Sequence, residues 1–270
     1  MEIIPNFSLL PNKNEPQKCY ATEKEDNLFS QSTLPKIEIT RQTETITDAF
    51  GPEVDALIDT SIKVSEDAQL LACCGAGSLS GIAFSASSKC FSVINGIRST
   101  IASFSAEITA ILNNSMLSDS EKNNKIKSIT NKIKALINEA NDKTCELRNI
   151  TLMLRSMAST FITLEKLGKP TSSFLSELKN MVNNFNTKPT DLSDVSSLND
   201  INDKIKTNEA NRFGKDTTLE LKENAQKSDE EIKKIEQKLK SKDITKDEKT
   251  ALEKELLIHK SLKRVYELFI

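Results

Sequence analysis

Tryptophan is absent from this chain, and histidine occurs once, at His259. Aromatic residues make up only 5% of its 270 residues. That scarcity excludes a thick core built around large rings and favours narrow seams between helices. Seven glycines and seven prolines are too few for a sandwich or barrel, whose many turns need both. With one histidine and no C-x-x-C pair, the sequence has no zinc-ligand pattern. Five cysteines, at 19, 73, 74, 90 and 145, are an odd number without framework spacing, which excludes a disulfide scaffold. The adjacent pair Cys73 and Cys74 reads as two small apolar side chains.

An excess of positive charge is missing too. The chain carries 37 basic and 39 acidic residues, and neither its first 115 residues nor the remainder has the basic excess of a nucleic-acid binder. "GAGSLSG" at 75–81 is followed by no Lys-Ser/Thr pair and preceded by no strand, so it is not a phosphate loop. No nucleophile with its base and no cofactor motif stands out, and His259 reads as a partly exposed helical residue. The expectation is a non-enzymatic protein without cofactor or metal.

What the sequence does contain is helical periodicity. Residues 1–50 are the exception: rich in Pro, Thr, Ser, Asn and Gln, they read as a disordered tail, with no apolar run that would make a secretory signal. Gly51-Pro52 then opens a helix carrying Val54, Leu57, Ile58 and Ile62 on one face, which Gly75 and Gly77 interrupt. A second stripe, Leu79, Ile82, Ala86, Cys90, Val93, Ile97, Ile101, Phe104, Ile108 and Ile111, steps by three or four. Its opposite face is Ser and Thr rather than Lys and Glu, which predicts cover on more than one side.

Ser118 and Glu121 form a capping-box pattern, and behind them runs the longest seam. Ile126, Ile129, Ile133, Leu136, Ala140, Leu147, Ile150, Leu154, Met157, Phe161 and Leu164 hold a/d spacing, with Lys143 the one violation. A helix of about 48 residues reaches roughly 70 Å, and Gly168 and Pro170 end it. The stripe at 79–111 is the candidate to face it, joined through Ser118. A short helix follows in "TSSFLSELKNMVNNFN". Residues 188–216 read as a polar connector with marginal helix. The span 217–270 reads as a hairpin, with Leu221, Ala225, Ser228, Ile232, Ile235 and Leu239 opposite Ile258, Leu262, Val265 and Phe269, and a second capping box at Thr245 and Glu248. The fold expectation is all-α: an elongated helical bundle with a coiled-coil hairpin over 52–187, a disordered N-terminal tail and a C-terminal helical hairpin.

Ala68 through Ser88 are 21 consecutive uncharged residues in a chain that is 28% charged. The length suffices for a bilayer, but Leu70, Leu71, Leu79, Ile82 and Phe84 are its only large apolar side chains. Gly77 and Gly81 form a G-x-x-x-G that lets two helices approach closely, in lipid or in a bundle. Conditional membrane insertion and tight packing in a soluble bundle both remain open, with 68–112 as the membrane or partner segment.

The stretch "LSGIAFSASSKCFSVINGIRSTIASFSAEIT", through Ser80, Gly81, Ile82, Ala83, Phe84, Ala86 and Ser87, resembles the smaller translocator proteins of bacterial type III secretion systems. Beyond this stretch the likeness is one of layout: polar N-terminus, one weak hydrophobic segment, then amphipathic helices. The resemblance implies a secreted virulence protein without cleavable signal peptide, carrying an N-terminal export signal. It also implies a secretion chaperone, a second translocator or host protein as partner, a target membrane, and homo-oligomers. The alternative is a soluble helical effector or scaffold working by protein–protein contact.

Overall fold

A computed structural model describes residues 50–268 apart from positions 196, 214 and 242. Among the described residues every regular element is a helix. In order they are α1 (Gly51–Cys73), α2 (Gly77–Asn113), α3 (Asp119–Lys166), α4 (Ser172–Asn184), α5 (Leu198–Ala210), α6 (Lys215–Leu239) and α7 (Lys246–Leu268). The expected tail up to position 49, and Phe269, lie outside the described residues. Phe50, assigned to that tail, is instead buried in the core beside Val54.

Local chemistry sets the helix ends. Ser118 Oγ accepts from the Glu121 backbone N–H, and the Glu121 carboxylate accepts from the Ser118 N–H at 2.9 Å. Thr245 and Glu248 repeat this reciprocal cap on α7. At the other end of α3, Lys169 N–H bonds Leu164 C=O and Gly168 N–H bonds Glu165 C=O, with Gly168 at φ +67°. The same paired closure ends α1 through Gly75, at φ +79°, where a side chain would be strained.

α3 is the axis of the molecule. α1 and α2 pack along it, α2 antiparallel as the hairpin expected from the two stripes, while α5 and α7 close on its other sides. From Lys143 to Thr151 nine successive residues of α3 are buried, which a two-helix seam does not produce. The a/d positions from Ile129 to Leu164 are all buried, and Ile126 is half-exposed near the hairpin tip.

The apolar interior is split in two. One cluster runs from Phe50 through Ile101 and Phe104 to Ile129, Ile133, Leu136 and Ala140. The other begins at Leu147 and gathers Leu71, Leu79, Ile82, Leu154, Phe161, Phe174, Leu262 and Tyr266. The break falls at Lys143. Within the span 188–216, read as a polar connector with marginal helix, Thr190, Leu192 and Phe213 are buried, and the helix α5 packs on α3 through Ile201.

Placing Asp at Ile133 or Leu154 sets an unpartnered charge in one cluster or the other, and each should cost several kcal/mol. Asp at exposed Asn138 should cost well under about 1 kcal/mol. Urea unfolding of the three variants checks this, and equal midpoints would refute the register.

Candidate functional site

The uncharged segment is not one helix. Gly75 folds it back, so Ala68–Cys73 ends α1 and Gly77–Ser88 begins α2. Leu71, Leu79 and Ile82 are buried in the bundle's own core, Leu70 is half-buried, and Phe84 is 44% exposed. Asp67, at the edge of the segment, is bonded to Arg155 of α3 at 2.6 Å. Burial pushes the Asp67 carboxyl up, and Arg155 acts against that rise. No helix among the described residues is long and apolar enough to cross a membrane.

Close helix approach is present, but the two glycines do not provide it. Gly77 and Gly81 face outward, and a Cβ on either would meet nothing within 4 Å. The α1–α2 interface uses Ser61, Ser65, Ala68, Ala83, Ala86, Ser87 and Cys90, all buried. Ser65 and Ser87 hydroxyls bond across it at 2.5 Å. Burial pushes the Cys90 thiol up to about 12, against a Ser61 hydrogen bond that lowers it. Cys73, expected as a small apolar filler, is exposed, and Cys74 is half-buried.

Between the two apolar clusters lies a polar centre the periodicity gave only as a flaw. Lys143 reaches Glu139 one turn earlier at 2.8 Å and donates to the Lys188 carbonyl at 2.6 Å. Glu139 also accepts from the Thr190 N–H at 3.0 Å, the Thr190 hydroxyl at 2.9 Å and Asn208 Nδ2 at 2.9 Å. One turn on, Glu146 pairs with Arg212, which also reaches Glu209 at 3.5 Å. Burial lowers the Lys143 ammonium's pKa, while Glu139 pulls it back.

The backbone strap 185–195 is thus tied to α3 by a carboxylate and an ammonium, and to α2 at Gly96. A Cβ on Gly96 would sit 3.0 Å from Pro189 Cδ, so the strap lies against bare helix there. Sequence reasoning missed Glu139, Thr190, Asn208, Arg212 and Gly96. The one available signal was Lys143, since a lysine inside an apolar seam needs an anion nearby.

Among the described residues no group of three His, Cys, Asp or Glu is placed to hold a metal ion. Comparison of the chain with family models, with curated proteins and with solved structures finds no match.

Removing Lys143 leaves the Glu139 charge buried without its cation. Lys143→Met should cost about 3 kcal/mol, and the double variant with Glu139→Leu should cost clearly less than the two single changes added. A double-mutant cycle in urea measures this, and strict additivity would show the two residues are uncoupled. Asp142, beside this centre, is pushed up to about 6 by burial and by Glu209 and Glu139, with Arg212 opposing. A raised folded-state value means the charged form costs stability above pH 6, and the cost disappears as pH falls towards 4. Asp142→Asn should therefore gain about 1 kcal/mol at pH 7, a figure discounted for partial exposure, and nothing at pH 4. Thermal melts at the two pH values check the sign.

Proposed function

We propose that this chain is a non-catalytic helical scaffold or effector that acts by protein–protein contact, offering the outward face of α2 to its partner. One observation carries the reading. Every exposed residue of α2 ahead of Glu107 is uncharged: Gly77, Ser78, Gly81, Phe84, Ser88, Ser92, Asn95, Ser99, Ala102, Ser103 and Ala106. At 1.5 Å per residue that face runs for roughly 45 Å. A helix face left to water normally carries Lys and Glu. Lys89 and Arg98 interrupt the run in sequence; both are half-buried, and Lys89 turns its ammonium aside to the carbonyls of Asn183 and Phe185. Small side chains let another backbone come close, and Phe84 supplies a projecting ring.

The same uncharged face also favours a second reading, the secreted type III translocator type. There the partner is a secretion chaperone, a second translocator or a host protein, and a target membrane is engaged. Insertion in that reading requires α1 and α2 to part from α3, turning Leu71, Leu79 and Ile82 outward and separating Asp67 from Arg155. That cost sets the contact reading ahead of it.

The variant Gly77→Leu with Gly81→Leu separates the two. Both side chains would stand in open space, so the melting temperature should hold or rise, since leucine is the better helix former by roughly 0.5–1 kcal/mol per site. Protein contact predicts no flotation with anionic liposomes for either wild type or variant. Flotation of the wild-type chain, strengthened in the variant, would overturn the contact reading and support insertion.

A further inference from the structure

The C-terminal hairpin meets the body over a half-open cavity of about 190 Å³, bordered by the end of α3, the turn at 169–171, α4, α6 and α7. Its floor is apolar: Phe161, Leu164, Phe174, Ile258 and Leu262 line it, and the two phenylalanine rings lie 6.2 Å apart, tilted by 38°. His259 is on the wall, and its Nδ1 is buried without a hydrogen-bond partner. The other polar groups lining it are of both kinds, Glu231 and Glu255 beside Lys169 and Lys227. Several are already engaged: Glu231 accepts from Lys234 at 2.6 Å, Lys227 donates to Asn224 Oδ1 at 3.4 Å, and the Ser228 hydroxyl donates to the Asn224 carbonyl at 2.9 Å. His259 Nδ1 is left without such a partner, and the apolar floor without a ring-sized filling.

We propose that this cavity is a binding site for a single-ring aromatic molecule bearing one hydrogen-bond donor, of the phenol class. Size sets the ring: an apolar cavity of about 150 Å³ accepts benzene, so this volume holds one ring with a small substituent and not two fused rings with substituents. Tilted aromatic neighbours present the edge and face contacts a further ring prefers. Chemistry sets the substituent, because a buried imidazole nitrogen without a partner is costly and a hydroxyl donor would satisfy it.

The site also has a structural consequence. Tyr266 of α7 is buried and its hydroxyl bonds the Glu177 carboxylate of α4, so the hairpin is pinned beside the cavity. A ligand held between α3, α4 and α7 would reinforce the same junction.

The experiment is titration of the full chain, methyl-labelled at isoleucine and leucine, with phenol and with toluene, its isostere lacking the donor. Phenol should shift the Ile258, Leu164 and Leu262 methyl signals saturably, leaving Ile133 and Leu136 unmoved. His259→Phe should weaken phenol roughly tenfold, the worth of one hydrogen bond, while toluene changes by less than about threefold. Ser228→Leu, which fills the cavity, should abolish both. Absence of saturable phenol shifts in the wild-type chain would overturn the proposal whatever the variants do. Equal weakening of phenol and toluene by His259→Phe would overturn the donor assignment and leave an apolar or hydrated cavity only.

Discussion

A lysine in the middle of a helix that is covered on every side must bring its own anion and acceptors with it. Lys143 does so through Glu139 on the same face, and the carbonyl of Lys188 completes its cage. Much of the architecture is arranged around that requirement. Glu139 has lone pairs left over, and Thr190 and Asn208 fill them, so the strap 185–195 and α5 are tied to α3 by polar bonds as well as by Leu192 and Ile201. The apolar clusters stop on either side, at Ala140 and at Leu147. Replacing such a centre with leucines would often be neutral for stability, so its presence is better understood as positioning. It fixes where the strap crosses and which residues of α5 face inward.

The uncharged segment fits this frame as a packing device with two different faces. Inward, alanine, serine and cysteine let α1 and α2 come close, and their hydroxyls bond each other or the carbonyl one turn back, as Ser61 does to Leu57 at 3.0 Å. Outward, glycine, serine and one phenylalanine are left without charge. The inner face accounts for the composition of Ala83, Ala86, Ser87 and Cys90. It does not account for Gly77 and Gly81, where a Cβ would meet nothing within 4 Å, or for the exposed ring of Phe84. That remainder is why the outer face, rather than the segment as a whole, carries the functional reading.

What could be read in the sequence was what depends on neighbours along the chain. The bounds of α3, both capping boxes, the glycine closures at Gly75 and Gly168 and the a/d register of α3 all rest on signals within a few residues of each other, and the structure places them as those signals require. The strap and α5 were not legible, because the bonds that tie them to Glu139 span 51 and 69 residues. Nor was the direction of Gly77 and Gly81. On a helix whose Ser and Ala residues run all round, periodicity does not distinguish a small residue packed inside from one left outside. Gly96 was invisible for a related reason: only the path of Pro189 over it shows that bare backbone is needed there.

Stability is unevenly distributed along the C-terminal hairpin, and the chemistry of its two halves differs accordingly. Near the body, Ile258, Leu262, Val265 and Tyr266 belong to the main apolar cluster. Towards the turn, Ile232, Ile235 and Ala251 are buried but belong to neither cluster, so their burial comes from α6 and α7 alone. Lys260–Glu236 and Lys263–Asp229 bridge the arms at 2.9 and 2.5 Å, on side chains open enough to water that each adds little. Local opening should therefore begin at the turn and travel inward until it meets Ile258 and Leu262. The cavity below His259 sits at that boundary, where the arm passes from self-supported to body-supported. A site at such a junction can be reached by loosening the hairpin while α3 stays covered.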